Sequence, residues 1–362
     1  MSGKVVTVRG PVEPGILGVT LMHEHLFVDL RKNHLPHLEF VTQEGRSEPI
    51  MTTDDFPATE LALWEAKVGL GTLRIAREMG SIADNYVLAD EGLITDEVME
   101  FKNLGGGTIV DVTSIGIKRD PRALRKVSEA TGLNILMGTG YYQKVFHPED
   151  MDRRSVEDLT NVIVRDLTVG VADTGIRSGI IGEVGIEGGP ITPNETRSIQ
   201  AAARACRLTG AAVTFHRGGV GAERRETLNI FAEEGGDLAR VIMGHADEIA
   251  DDLPLLIALL ERGVYIQFDL IGREEALTES LTALVARVVP ELIGAGYEDR
   301  ILLSHDVCWK VHLRRYGGFG FSFILDRFLP HLRESGVTDT QIDKMMVQNP
   351  KSVLPFVRPQ PL

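Results

Sequence analysis

Cysteine is scarce in this chain. Only Cys206 and Cys308 occur among the 362 residues, and neither belongs to a Cys-x-x-Cys pair. Zinc ribbons and dithiol redox motifs need such pairs, so both are excluded. Two cysteines in a chain of this length also do not indicate a disulfide framework.

Long apolar segments are missing as well. The N-terminal stretch Met1–Val6 has no apolar signal core. The longest apolar run, Leu253–Leu260, is too short to span a bilayer and contains a proline. We therefore expect a soluble, cytoplasmic protein without a membrane partner.

Acidic residues outnumber basic residues in the sequence. The chain has 38 basic and 52 acidic residues, a formal net charge of −14, and its densest basic stretch, Lys310–Arg315, is short. Nucleic acids and anionic membranes are bound through clustered positive charge, so neither is expected as a partner. With 43% hydrophobic and 25% charged residues the composition is that of a globular protein, for which we expect a small-molecule substrate.

Short apolar, β-rich runs alternate with stretches of helical period along most of the chain. We predict strands at Gly18–His23, Thr108–Thr113, Asn134–Gly138, Gly179–Glu183, Ala212–His216, Val241–His245, Val264–Phe268 and Ile301–Ser304. We predict helices at Pro121–Thr131, Val156–Asp173, Pro193–Thr209, Glu223–Glu234 and Glu275–Gly294. Eight strands alternating with helices predict an α/β fold, a (β/α)₈ barrel formed by residues 1–362 as one domain.

The alternative fold, a doubly wound open sheet, needs a glycine-rich turn after its first strand to bind a nucleotide. The run Gly105-Gly106-Gly107 precedes a strand instead of following one, so that turn is absent.

A long insertion, residues 29–106, separates the first two strands. It contains the polar loop Arg31–Asp55 and helical stretches near Thr59–Met79 and Thr95–Leu104. Loops of this length are usually functional or mobile. Because it begins just after the first strand, at the end of the barrel where chemistry collects, we expect it to cover part of the site. His34 and His37 within it are interpreted as solvated loop residues.

Polar residues that bind metals follow five of the predicted strands. The first strand ends in Met22-His23-Glu24-His25-Leu26, where the two histidines, two positions apart, face the same side. Later strands end in one acidic or histidine residue each, namely Glu183, His216, His245 and Asp306. In a barrel the carboxyl ends of all strands meet at one face, so these six side chains are predicted to form a metal site.

Six protein ligands exceed what one tetrahedral zinc ion needs. They suit two divalent cations with one carboxylate between them. Histidine and carboxylate ligands accept zinc, manganese, cobalt or iron with little discrimination, and zinc is our expectation.

The same residues resemble the phosphotriesterase-like branch of the amidohydrolase superfamily. The resemblance covers nearly the whole chain and is carried by Thr20-Leu21-Met22-His23-Glu24-His25-Leu26, Gly244-His245-Ala246-Asp247-Glu248 with Asp251-Asp252, Ser304-His305-Asp306, Arg315-Tyr316-Gly317-Gly318-Phe319-Gly320 and Asn349-Pro350. It implies a (β/α)₈ barrel, a binuclear metal site and, as a family expectation, a homodimer. By this resemblance His23, His25 and Asp306 hold the buried metal, and His216 and His245 the more exposed one.

One position departs from the best-known family pattern. Many members bridge their metals with a carboxylated lysine after the fourth strand, where this chain has Glu183. A glutamate supplies the same bridging carboxylate. Glu187 is the alternative, but it lies beyond the strand and before two glycines, so Glu183 is preferred.

The resemblance implies a hydrolase in which Asp306 orients the attacking water and carries its proton. Tyr142, Arg217 and Arg273 follow three strands and are candidates for substrate contact. Because aromatic residues make up only 6% of the chain and basic residues lie near the predicted mouth, a lactone or related carboxylic ester is the preferred substrate, and one with a phosphate or carboxylate group would suit the basic residues. An N-acyl amino acid amidase and a phosphotriesterase are alternatives within the family. A mononuclear deaminase and a non-catalytic binding protein are alternatives of other classes.

Overall fold

The computed structural model describes residues 2–34, 40–43, 46–49, 57–78, 80–219, 221–273 and 280–359. Its strands, in chain order, are β1 (Val5–Thr7), β2 (Gly10–Val12), β3 (Val19–Glu24), β4 (Val28–Asp29), β5 (Phe40–Gln43), β6 (Arg46–Pro49), β7 (Val87–Leu88), β8 (Gly106–Asp111), β9 (Asn134–Thr139), β10 (Ile180–Gly185), β11 (Val213–His216), β12 (Val241–Met243), β13 (Tyr265–Phe268) and β14 (Ile301–Leu303).

The α-helices surround these strands. They are α1 (Ala58–Trp64), α2 (Leu73–Glu78), α3 (Glu91–Asn103), α4 (Pro121–Thr131), α5 (Val156–Thr168), α6 (Pro193–Thr209), α7 (Ala222–Glu233), α8 (Leu253–Leu260), α9 (Leu281–Gly294), α10 (Leu329–Glu334), α11 (Asp339–Asp343) and α12 (Asn349–Val353). None of the helices in the described ranges has the length and apolar content needed to cross a bilayer.

Eight parallel strands, β3 and β8 to β14, pair in chain order. Backbone hydrogen bonds join the first strand to the segment after the last one: Asp306 N donates to His23 O at 3.1 Å, and His25 N donates to Val307 O at 3.2 Å. The sheet is therefore a nearly closed barrel flanked by helices, and the predicted (β/α)₈ fold is confirmed.

Strand residues alternate between two hydrophobic clusters. Ile135 belongs to the large cluster that includes helix residues such as Leu124, whereas Leu136 packs with Ile242 in a smaller cluster made mainly of strand residues. This alternation is the two-residue period of a strand, with one face toward the helices and the other toward the barrel interior. Leu354 joins the interior cluster near the chain end.

All eight predicted barrel strands are present, with ends shifted by no more than two residues. The helices Pro121–Thr131 and Pro193–Thr209 have the predicted bounds, and Thr192 and Glu195 form the capping box that begins the second of them. The predicted stretch Glu275–Gly294 begins among residues outside the described ranges, and its described part is α9.

The insertion differs from its prediction in two places. The single helical stretch Thr59–Met79 is two helices, α1 and α2, because Gly69 and Gly71 lie between them and glycine weakens a helix. Helix α3 begins at Glu91 instead of Thr95, since the Asp90 side chain caps it by accepting from Leu93 N at 2.9 Å. Much of the loop Arg31–Asp55, with His37, lies outside the described residues.

We propose that residues 1–362 form one domain, because buried insertion residues such as Trp64 belong to the main core cluster.

Candidate metal centre

Six side chains meet at the carboxyl ends of the barrel strands. They lie in or shortly after β3, β10, β11, β12 and β14, and each is no more than 7% exposed: His23, His25, Glu183, His216, His245 and Asp306. The structure therefore brings the six predicted side chains to one place.

The Glu183 carboxylate lies at the centre of this cluster. Its oxygens are 3.1 Å from His25 Nε2, 3.3 Å from His23 Nε2 and 2.9 Å from His216 Nδ1. Glu187 lies beyond β10, where its backbone N–H donates to Glu195 Oε1 at 2.8 Å. Glu183, and not Glu187, therefore lies among these histidines.

Asp306 and His245 complete the cluster. Asp306 Oδ1 is 3.3 Å from His25 Nε2, and Asp306 Oδ2 is 3.8 Å from His245 Nε2. The rings of His216 and His245 are 4.4 Å apart. His216 and His245 are thus neighbours in the cluster.

Several buried atoms of the cluster have no hydrogen-bond partner. They are His23 Nε2, Glu183 Oε1 and Asp306 Oδ1. Leaving a buried polar atom unpaired costs roughly 1–3 kcal/mol, more for a charged one, so such atoms need a partner of another kind. Ligand atoms within 4.8 Å of one another occur in two sets, His23 with His25 and Asp306, and His23 with Glu183 and His245. The donor set therefore fits divalent cations.

The electrostatics of the cluster favour bound positive charge. Burial lowers the pKa of His25, but the adjacent carboxylates of Asp306 and Glu183 outweigh burial and raise that pKa to about 9. Burial raises the pKa of Glu183, but His216 and His23 outweigh burial and bring that pKa well below its usual range. Two carboxylates among histidines thus attract cations, and a metal ion replaces the protons that the histidines would otherwise hold.

Backbone strain accompanies these strand ends. Arg217, His245 and Asp306 have φ angles of 59°, 48° and 53°, in the left-handed region that favours glycine. Such conformations cost about 1–3 kcal/mol each and collect at functional sites. Each of these residues follows a barrel strand, so the strained turns aim the side chains across the mouth of the barrel.

Asp269, after β13, has an orienting role that sequence analysis missed. Its Oδ1 is 2.6 Å from His245 Nδ1, and its Oδ2 is 3.1 Å from His23 Nδ1. An ionised carboxylate only accepts, so Asp269 favours a proton on both Nδ1 atoms and leaves both Nε2 atoms toward the cluster. The available signal was its place directly after the seventh strand.

Glu24, between the two histidines of the first motif, is structural. It accepts hydrogen bonds from Ser304 Oγ at 2.8 Å and from the backbone N–H groups of His305 and Val307 at 2.9 Å. Its hydrogen bonds therefore connect β3 to the segment after β14, which contains Asp306.

The three predicted substrate residues have different surroundings. Tyr142 Oη is 3.3 Å from His216 Nδ1, at the edge of the cluster. Arg273 donates to the Asp306 carboxylate and to Asp306 O. Arg217 forms an ion pair with Glu248 at 2.8 Å. Tyr142 and Arg273 thus adjoin the cluster directly, and Arg217 follows His216 in the chain.

The insertion contacts a residue that lies beside the site. Asn33 Nδ2 donates to Gln143 Oε1 at 3.0 Å, and the same Gln143 amide group lies 3.1 Å from His216 Nε2.

The interpretation of His34 as a solvated loop residue is wrong. Its ring stacks on Tyr86 with centroids 3.7 Å apart, and burial lowers its pKa to about 4.

Comparison with known proteins agrees with this geometry. The model of the phosphotriesterase family matches residues 3–354. N-acetyltaurine hydrolase of Danio rerio is 36% identical over 365 residues, covering 98% of this chain and 99% of the relative. The crystal structure of a resiniferatoxin-binding protein from Rhodobacter sphaeroides has a TM-score of 0.85 at 35% identity, covering 97% of this chain and 95% of that one.

A further solved structure comes from the engineering of organophosphate hydrolysis from a weak promiscuous lactonase template. It has a TM-score of 0.74 at 28% identity and covers 98% of this chain and 100% of that one. The extent of these matches and the cluster of potential metal ligands lead to one conclusion: the chain belongs to the phosphotriesterase family, as a metal-dependent hydrolase.

Proposed function

We propose that this protein hydrolyses the amide bond of a small N-acyl compound that carries an acidic group, using two divalent cations, which we take to be zinc. The observation that carries the proposal is the set of buried, unpartnered ligand atoms in the cluster. The choice of an amide rests on the 36% identical N-acetyltaurine hydrolase, which matches over nearly the whole of both chains.

In this proposal His23, His25 and Asp306 would hold one cation, His216 and His245 would hold the other, and Glu183 would add a carboxylate ligand. When bound, such a pair of cations lowers the pKa of a water molecule and polarises the carbonyl oxygen of the substrate. Side chains transfer the proton and position the substrate.

Asp306 acts as the proton carrier. Burial raises the pKa of its carboxyl, but Arg273 and the neighbouring histidines outweigh burial and lower that pKa, so the group is ionised and accepts a proton. The water oxygen attacks the acyl carbon, its proton passes to Asp306, and the C–N bond then breaks as the nitrogen takes that proton. Tyr142 and Arg217 lie along the substrate, and Arg273 keeps Asp306 charged.

A lactone is the second candidate substrate, as the sequence favoured. It is supported by the lactonase template, which is 28% identical to this chain. Esters and amides pass through the same kind of tetrahedral addition, so one site serves either bond. The homodimer and the cytoplasmic location stay predictions.

A substrate panel tests the proposal. The zinc-saturated enzyme is assayed with N-acetyl-2-aminoethanesulfonate, N-acetyl-β-alanine, a phosphorylated sugar lactone, a simple lactone and a phosphotriester, with Asp306→Asn as the inactive control. We expect the highest kcat/KM for an acidic amide. Turnover of lactones alone would support the second candidate. Absence of hydrolysis across the panel, despite full zinc loading, would contradict both and favour a binding protein.

A further inference from the structure

His216 is oriented differently from the other three histidines of the cluster. His23 and His25 direct Nε2 toward Glu183, at 3.3 and 3.1 Å, and His245 also directs its Nε2 into the cluster. His216 instead directs Nδ1 toward Glu183, at 2.9 Å. The group that contacts Nε2 of His216 therefore decides which of its two ring nitrogens carries the proton.

Nε2 of His216 contacts the side-chain amide of Gln143. Gln143 Nε2 lies 3.1 Å from His216 Nε2, and both side chains are buried. The Gln143 backbone is closely packed: its carbonyl accepts from Phe146 N at 2.9 Å, and a Cβ atom on Gly185 would overlap its nitrogen. The amide thus has a defined place against β10, the strand that contains Glu183.

The second partner of the Gln143 amide comes from the insertion. Asn33 lies in the short segment after β4, and its Nδ2 donates to Gln143 Oε1 at 3.0 Å. Asn33 is exposed, whereas Gln143 and His216 are buried. Two carboxamide groups in series therefore connect the surface of the insertion with His216.

The direction of these hydrogen bonds determines whether His216 can bind a cation. A neutral imidazole has one N–H donor and one acceptor nitrogen, so a cation bound at Nδ1 requires the proton at Nε2. Nε2 then donates, and its partner has to accept. A carboxamide can do so because a half-turn exchanges its oxygen with its NH₂ group. Gln143 then directs Oε1 at His216 and its NH₂ group at the oxygen of Asn33.

We propose that Gln143 is a positioning residue that accepts a hydrogen bond from Nε2 of His216, and that Asn33 holds the Gln143 amide in this direction. The inference rests on the proposed function, since it concerns the cation assigned to His216 and His245. Without an acceptor at Nε2, the Glu183 carboxylate would favour a proton on Nδ1, where the cation has to bind.

The experiment measures zinc binding of the full-length protein by competition with a chromophoric chelator, and the binding step that His216→Ala removes identifies the second cation. Gln143→Met removes both polar atoms at a similar volume, and Gln143→Glu keeps two acceptors. We expect Gln143→Met to weaken the second cation about 10- to 100-fold, the usual loss when a metal-binding histidine loses its orienting partner, and to leave the first unchanged. Gln143→Glu should bind the second cation at least as tightly as wild type. Asn33→Ala should weaken it about twofold to tenfold, the effect of one hydrogen bond.

The order of the two Gln143 variants separates an orienting role from a packing role. If Gln143 only filled space, methionine would replace it well, and the buried charge of glutamate would be the more damaging change. Affinity for the second cation is compared with that for the first, because an added negative charge attracts both. Gln200→Met is the matched control, since Gln200 donates to Glu234 at 2.9 Å in another part of the fold.

Two results would overturn the inference: unchanged binding of the second cation by Gln143→Met, or a loss in Gln143→Glu as large as that in Gln143→Met. Asn33 is exposed, so Asn33→Ala provides the test even if a variant of the buried Gln143 fails to fold. In that case unchanged binding of the second cation by Asn33→Ala overturns the inference.

Zinc binding needs no substrate, which keeps the two proposals distinguishable. If wild type hydrolyses neither amides nor lactones, the proposed function fails, and the zinc affinities still decide the role of Gln143. If wild type holds a single zinc ion, the two-cation site fails. Weakening of that ion by Gln143→Met, with recovery in Gln143→Glu, would then support the role of Gln143, and unchanged binding would overturn it.

Discussion

Replacing Asp269 by asparagine should weaken metal binding although Asp269 is not among the proposed ligands. The carboxylate accepts from His245 N at 3.0 Å and contacts the Nδ1 atoms of His245 at 2.6 Å and His23 at 3.1 Å. An asparagine has one accepting oxygen and one donating NH₂ group in place of two acceptors. The imidazole that meets the NH₂ group must accept at Nδ1, which moves its proton to Nε2 and removes the metal-binding lone pair.

The size of the expected loss in metal affinity follows from the number of histidines that Asp269 orients. Losing one orienting partner of a metal-binding histidine typically costs 10- to 100-fold in metal affinity. Asp269 orients two histidines. We therefore expect metal affinity to fall by about tenfold if one histidine adapts and by about 10⁴-fold if both are disturbed. These factors correspond to ~1.4 and ~5.5 kcal/mol of binding free energy. Zinc affinity is measured by competition with a chromophoric chelator, at constant pH.

The matched control is Asp166→Asn. Asp166 is also buried and accepts from Arg119 at 2.6 Å and from Thr139 at 2.9 Å, without contacting the cluster. This variant should lower the melting temperature and leave zinc affinity unchanged. If Asp269→Asn bound zinc as tightly as wild type, or if Asp166→Asn weakened zinc binding equally, the orienting role of Asp269 would be refuted.

Two further predictions concern the proton carrier and the insertion. Asp306→Asn should lose about 10²- to 10⁴-fold in kcat while retaining bound metal, measured by steady-state kinetics and metal analysis, because the amide cannot accept the proton; near-normal turnover would refute the assignment. His34 has a pKa of about 4, below its ordinary value of about 6.5. Its neutral form therefore stabilises the fold above pH 6.5, and that contribution is lost as the pH falls toward 4. His34→Phe should accordingly show a smaller drop in melting temperature than wild type between pH 7 and pH 4.5; equal drops would contradict the stacking argument.

The barrel and the meeting of the six side chains at one end of it were predictable because both follow from local sequence. Buried parallel strands are short apolar runs, and the carboxyl ends of those runs meet at one face, so residues such as Glu183 and His216 could be placed together without knowing any side-chain contact. Their separation in the sequence did not matter, since strand order alone brings them together.

Contacts between distant segments were not predictable. The ring that stacks on His34 belongs to Tyr86, which comes well after the polar loop in the sequence. No sequence periodicity links the two residues. Asp269 resembles any acidic residue after a strand until its distances to His23 and His245 are known. Gln143 belongs to no motif, so its place beside His216 emerges only from the fold.

The most direct test of the metal centre is anomalous diffraction at the zinc edge from crystals of the zinc-saturated protein, paired with metal analysis of the same sample. The account predicts two zinc ions per chain, one beside His23, His25 and Asp306 and the other beside His216 and His245, with the Glu183 carboxylate bound to both. A single ion held without Glu183 would contradict it and favour the mononuclear deaminase.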